Sequence, residues 1–263
     1  MKKTVICLLL FGIGLTVSAQ EKAETVSMRY ETQNDMPLFY QKLKESLTYP
    51  MAWRNSSIRN FEKWREGARK VLLDCVQPAP PVAAFDKEVI DTEQRNGYRA
   101  EKILFSVSEY SRVPAYLLVP DGNGPFPAVL LLHDHGAHFS IGKEKMVRPF
   151  GVEASVLADA DDWAEKCYDK QYVGDYLASH GYVVLAVDAL FWGERGRKEG
   201  VRYDSQQALA ANMLQMGMSW GALIAWDDIR SAEFLASLPM VHKEKTSLIL
   251  DIFAMRAQTA NAK

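Results

Sequence analysis

Three stretches of this chain carry side chains capable of chemistry. His133-Asp134-His135-Gly136 ends an unbroken apolar run, Ala128 to Leu132, that is led in by Pro125-Phe126-Pro127. Asp188-Ala-Leu-Phe-Trp192-Gly193-Glu194-Arg195-Gly196-Arg197 ends a second run, Tyr182 to Val187. Gly217-Met218-Ser219-Trp220-Gly221 matches the G-x-S-x-G pattern, in which a nucleophilic serine sits on a strained turn between a strand and a helix. Such a serine needs a histidine base and an orienting acid. A His-Asp-His-Gly turn offers backbone N–H groups of the kind that stabilise charge on a carbonyl oxygen. His133, His135 and His138 also suggest metal ligands. No second cluster of Cys, His or carboxylate at ligand spacing accompanies them, so neither metal nor cofactor is expected. Asp188 has two readings, a catalytic acid or an acceptor for the backbone of its own loop, and the second is the commoner use of such a residue. Ser219 also has two, because Ala208 to Met216 before it reads as helix, which favours a glycine turn between helices over a nucleophile elbow.

The elements that must position these residues follow from hydrophobic period. Both apolar runs read as strands buried on two faces, as in a parallel sheet. In such sheets the ligand crevice lies beyond the carboxyl ends, so the His133 and Asp188 turns should converge there. A helix from Asp162 or Asp169 to Ser179, stopped at His180-Gly181, joins the strands in a right-handed unit. His138 to Asp162, with Gly142-Lys-Glu-Lys145, reads as a long irregular loop of the lid or binding kind. Upstream the period is two: Phe85–Gln94, Tyr98–Val107 and Val113–Val119 read as strands, the first pair joined by a hairpin at Asn96-Gly97. Ser205–Met216 and Ala222–Leu238 read as helices, and Thr246–Phe253 as a third buried strand. Nearer the amino end, Met36–Leu47 and Ser57–Val76 have helical spacing, with Ser56 or Ser57 as N-cap and Pro78-Ala-Pro-Pro81 as a stop. Trp53 and Trp64 belong to that packing surface rather than to a sugar platform.

With 263 residues, 48% of them hydrophobic, the chain can bury one large α/β core. With a formal net charge of −2, no long basic run or aromatic-basic interleaving marks a nucleic-acid surface, and no nucleic-acid partner is expected. Met1-Lys2-Lys3, the apolar stretch Val5–Val17 and Val17-Ser18-Ala19 have the three parts of a secretory signal, cut after Ala19 or Gln20. That stretch is short of the roughly 20 residues a membrane span needs, so the expectation is an exported, periplasmic or extracellular protein with no transmembrane anchor in its mature form. Cys75 and Cys167 are expected as two buried thiols, with one bridge as the alternative.

Leu131-Leu-His-Asp-His-Gly136, Gly142-Lys-Glu-Lys145, Val187-Asp-Ala-Leu-Phe-Trp-Gly-Glu-Arg-Gly196, and Trp226-Asp-Asp-Ile-Arg-Ser231 before Leu235-Ala-Ser-Leu-Pro239 together resemble secreted acetyl xylan esterase-like α/β-hydrolases, relatives of dienelactone hydrolase. The resemblance covers residues 36 to 245. It implies an α/β-hydrolase-type sheet, antiparallel strands first and parallel ones after, with flanking helices and an amino-terminal helical cap. It also implies a small-molecule or carbohydrate ester as substrate, and an oxyanion pocket at His133, Asp134, His135 and Gly136, lined by Asp188, Trp192 and Gly193. Such relatives carry their elbow serine after the Leu-Pro position. Met240 to Phe253 stands there in this chain and contains neither a glycine nor an elbow serine. The expected organisation is therefore a signal peptide at 1–20, a helical extension at 21–84 and a partial α/β-hydrolase domain at 85–263, truncated before the elbow, with the carboxyl-terminal part of the fold missing. The expected function is a carboxylic-ester hydrolase-class protein inactive as this chain. Two alternatives stand beside it: a non-catalytic carbohydrate-associated binding protein or relic, and a complete small serine esterase using Ser219.

Overall fold

The computed structural model describes residues 32–33, 36–37 and 39–250, apart from 77, 135, 137, 198 and 199. The expected signal peptide, His135 and the end of the strand expected to reach Phe253 lie outside the described residues. Two compact units divide at Lys70 and Val71.

The first unit contains α1 (Phe39–Ser46) and most of α2 (Phe61–Cys75). Trp64 stands 5.3 Å from Trp53 and 5.5 Å from Phe61, ring centre to ring centre, and its indole N–H donates to the Met51 carbonyl at 3.0 Å. The expected serine cap is corrected: Ser56 Oγ accepts from Ile58 N at 3.1 Å in a local turn, and Asn60 Oδ1 caps α2 by accepting from Lys63 N at 2.9 Å. A serine spent on its own turn cannot also cap a helix.

The second unit is built on a six-stranded sheet. In chain order the strands are β1 (Glu88–Arg95), β2 (Tyr98–Ser106), β3 (Arg112–Pro120), β4 (Phe126–Leu132), β5 (Val183–Val187) and β6 (Val241–Leu250); in space they run β1-β2-β3-β5-β4-β6. The first three pair antiparallel, and β1 turns into β2 through Asn96-Gly97, with Gly97 at φ +86°. β4 pairs parallel with β5 on one side and with β6 on the other. The two apolar runs are therefore neighbours, and antiparallel strands do precede parallel ones.

Because successive strand side chains point to opposite faces, the runs feed two cores at once. Ala128, Leu130, Val183 and Leu185 pack with Phe105 and, from α6 (Trp220–Ser237), with Phe234 and Leu235. Val129, Leu131, Val184 and Ala186 pack on the other face with Tyr116, Met146, Val147 and Ala178. Burying each valine, leucine, methionine or phenylalanine among them contributes about 1.5–3 kcal/mol, which fixes the strand ends where the site begins.

Two expectations change here. The segment from His138 to Asp162 is not one irregular loop: Lys143–Lys145 forms a buried 3₁₀ turn, and α3 runs from Ala154 to Cys167, followed by the separate α4 (Val173–Ser179). The inner face of α3 is Ala160, Trp163 and Ala164, so small residues hide its apolar period. Cys75 and Cys167 are exposed rather than buried, each on the last residue of a helix. α5 (Tyr203–Gln215) precedes α6, and no described helix is long and apolar enough to cross a membrane.

Candidate functional site

The carboxyl ends of β4 and β5 bring the two polar turns into contact. Ala189 N donates to His133 Nε2 at 3.1 Å, and His133 Nδ1 lies 2.8 Å from the Asp134 carbonyl. A nitrogen facing a carbonyl must carry the proton, so the Nδ1–H tautomer is fixed and Nε2 is spent as an acceptor. His133 is thus a strut between the strand ends, with neither ring nitrogen left to act as a base. Gly193 N reaches across to the Phe139 carbonyl at 3.1 Å, and Trp192 lies 5.7 Å from His133 and 6.0 Å from Phe139. The backbone pays for this approach at Phe191, whose φ of +82° is unusual for a bulky side chain.

Asp188 is buried and is the hub of the site. Oδ1 accepts from Lys143 N at 2.7 Å; Oδ2 accepts from Glu194 N at 3.1 Å and from Lys143 Nζ at 2.9 Å. The chain passes so close that a Cβ at Gly142 would stand 2.3 Å from Asp188 Oδ1, and one at Gly193 2.8 Å from either oxygen. Only glycine fits at those two positions. Of the two readings of Asp188, this geometry is that of an acceptor holding loops, its own and that of Lys143.

Sequence reasoning missed the groups that complete this hub. The Lys143 ammonium is fully buried and donates to Glu144 Oε1 at 2.6 Å, Asp188 Oδ2 at 2.9 Å and Glu194 Oε2 at 2.6 Å. Burial alone would lower its pKa, but the carboxylates of Asp188, Glu144 and Glu194 hold it well above the usual lysine value. Burial pushes the Asp188 carboxyl up to about 6 while Lys143 opposes the shift. A charged run normally marks a solvated surface. The available signal was that Lys143-Glu-Lys145 is flanked by Ile141 and by Met146-Val147, all buried.

Asp134 and Gly136 serve the wall behind the turn. Asp134 Oδ2 accepts from the Trp163 indole at 2.9 Å, the Lys145 ammonium lies 3.2 Å from its carbonyl, and Gly136 is buried against the Trp163 ring. On the far side Trp192 stacks on Trp220, ring centres 5.5 Å apart and planes at 12°. Arg195 bonds the Asp188 carbonyl at 3.1 Å and Asp227 at 2.8 Å, and with Leu190, Met218, Leu223 and Pro81 it lines a cavity of about 360 Å³. Burial, then the neighbouring Asp227, pushes Asp228 up to about 7.

Ser219 is exposed, follows α5 rather than a strand, and is the N-cap of α6; its Oγ accepts from Ala222 N at 3.4 Å. Two clusters among the described residues have the donor spacing of a metal site. Glu144, Asp188 and Glu194 already surround the Lys143 ammonium. In the other, Asp159 bonds His138 and Ser140, and Asp162 pairs with Lys166 at 2.6 Å.

Parts of several known proteins are similar to this chain. A Bacillus subtilis (strain 168) protein provisionally named a hydrolase, YtaP, is 26% identical over 187 residues, covering 70% of this chain and 55% of its own length. A Bacteroides fragilis NCTC 9343 crystal structure, provisionally named an acetyl xylan esterase, superposes with a TM-score of 0.65 at 21% identity over 84% of this chain and 56% of that one. A glucuronoyl esterase from Solibacter usitatus superposes more loosely, with a TM-score of 0.47 at 16% identity over 78% of this chain and 57% of that one. The chain spans just over half the length of these relatives. The sequence profile of the Abhydrolase family matches residues 34–259, and the six-stranded mixed sheet with flanking helices has the α/β-hydrolase fold; the chain belongs to the Abhydrolase family.

Proposed function

We propose that the protein is of the carboxylic-ester hydrolase class and of the carbohydrate-esterase kind, exported from the cytoplasm, and that this 263-residue chain is by itself a very poor esterase or none. The observation that carries the class is the meeting of the His133 turn and the Asp188 loop beyond the carboxyl ends of two parallel strands, the position at which sheets of this kind take ligands. His133, Asp134, His135, Gly136, Asp188, Trp192 and Gly193 are proposed as its pocket. Poor activity is supported by Ser219. Acyl transfer needs a serine, a base and an acid acting together, and the serine of the chain's G-x-S-x-G caps a helix while His133 is spent on backbone groups.

The test is hydrolysis of an aryl acetate by the purified chain and its Ser219→Ala variant, with acetylated xylan as the polymeric substrate.

A further inference from the structure

We infer that Lys143 is a positioning residue whose ammonium acts as a built-in cation, filling in this interior the place a metal ion takes in carboxylate-lined sites, and that it fixes the Asp188 loop and through it the His133 ring.

The geometry carries this assignment. A lysine ammonium has three donors, and here each meets a different carboxylate, those of Glu144, Asp188 and Glu194, at 2.6–2.9 Å. The same three groups have oxygens within 4.8 Å of one another, the spacing of a cation's ligand shell. Beneath lies the ring of Tyr116, its centre 5.2 Å from Nζ. Without the ammonium, Glu144 and Asp188, both buried, would face each other as like charges, and Lys102 would neutralise only Glu194, at 2.9 Å.

The shell joins elements far apart in the chain. Lys143 and Glu144 belong to the buried 3₁₀ turn, Asp188 directly follows β5, and Glu194 lies in a second 3₁₀ turn, Gly193–Arg195. Next to Asp188, Ala189 supplies the N–H that orients His133. Release of the Asp188 carboxylate therefore frees two amides, those of Lys143 and Glu194, and loosens the anchor of the adjoining Ala189 amide, which bonds His133. The role goes beyond the proposed activity and holds whether or not the chain turns over an ester.

Chemical rescue tests it. Lys143→Ala removes the three carbons and the nitrogen that n-propylammonium would replace. The variant should melt below the parent, and n-propylammonium should raise its Tm more than sodium chloride at equal ionic strength or 1-propanol at equal concentration, while leaving the parent unmoved. Glu194→Gln, a change at a partly exposed partner, keeps the proposal testable if Lys143→Ala yields no folded protein. It should speed hydrogen exchange at the Lys143, Ala189 and Glu194 amides by about fivefold, the effect of weakening one charge-assisted bond, and leave the Asn96-Gly97 hairpin unchanged. Rescue by n-propylammonium above both controls, or the local exchange pattern in Glu194→Gln, supports the role. Equal response to all three additives together with unchanged exchange at Ala189, or unchanged exchange at Ala189 alone where Lys143→Ala does not fold, would overturn it.

Discussion

The Lys143 ammonium lies 2.9 Å from the Asp188 carboxylate, and neither side chain reaches solvent. Desolvating two such groups costs several kcal/mol apiece, and attraction offsets the cost only where the remaining donors and acceptors are also paired. Here they are, through Glu144, Glu194 and two backbone amides. Removing one partner leaves the other charged and buried. Asp188→Ala should destabilise the second unit by about 3–5 kcal/mol, measured by urea denaturation. A loss under 1 kcal/mol would show that the hub is not held as described.

His133→Phe should cost roughly 1–3 kcal/mol, because the Ala189 N–H loses its acceptor in a part-buried site. Nitrogen-15 spectra of the parent should show one imidazole tautomer, protonated at Nδ1. A His133 ring exchanging between tautomers would contradict the strut role.

How much of this was legible without coordinates depends on where each residue's partners lie. The strands at 126–132 and 183–187 announce themselves because burial on both faces makes a continuous apolar run, and the connection between them predicts a parallel pair, neighbours or one apart; the sheet makes them neighbours. The hairpin at Asn96-Gly97 is equally local. The role of Lys143 was not legible, since two of its carboxylates come from 45 and 51 residues away, and the apolar flanks Ile141 and Met146-Val147 hint at burial without naming its partners. The start of α3 is hidden because alanine gives its inner face little contrast, and the cap of α2 is ambiguous because a serine turn and an N-cap share one composition.

Asp228 supplies a pH prediction. Its carboxyl is raised from near 4 to about 7 by burial and by Asp227, with Arg195 opposing. Between those values the unfolded chain has released the proton and the folded one still holds it, so stability falls as pH rises through the window. Asp188, up to about 6, acts with the same sign. Asp228→Asn should remove part of the slope, gaining roughly 1–3 kcal/mol at pH 8 relative to pH 4. A variant whose stability profile parallels the parent's from pH 4 to 8 would refute the assignment.

Export predicts that protein recovered from the envelope or medium of its native host begins at Gln20 or Glu21. Mass spectrometry of the amino-terminal peptide decides it, and an intact Met1 on that material would rule out the proposed cleavage.

The most direct test of the whole account concerns the hydroxyl of Ser219. As a helix cap it should be worth about 0.5–2 kcal/mol, so Ser219→Ala should melt lower and Ser219→Asp should recover most of the loss. As a bystander to chemistry it should leave aryl acetate hydrolysis where it was, at or near the floor of about 10³–10⁴ over water that binding and oxyanion donors give without a triad. The decisive measurement is fluorophosphonate labelling of the parent and of Ser219→Ala, run beside their hydrolysis rates. No Ser219-dependent labelling and equal low rates are predicted; stoichiometric labelling and rapid hydrolysis, both abolished with the hydroxyl, would contradict the account.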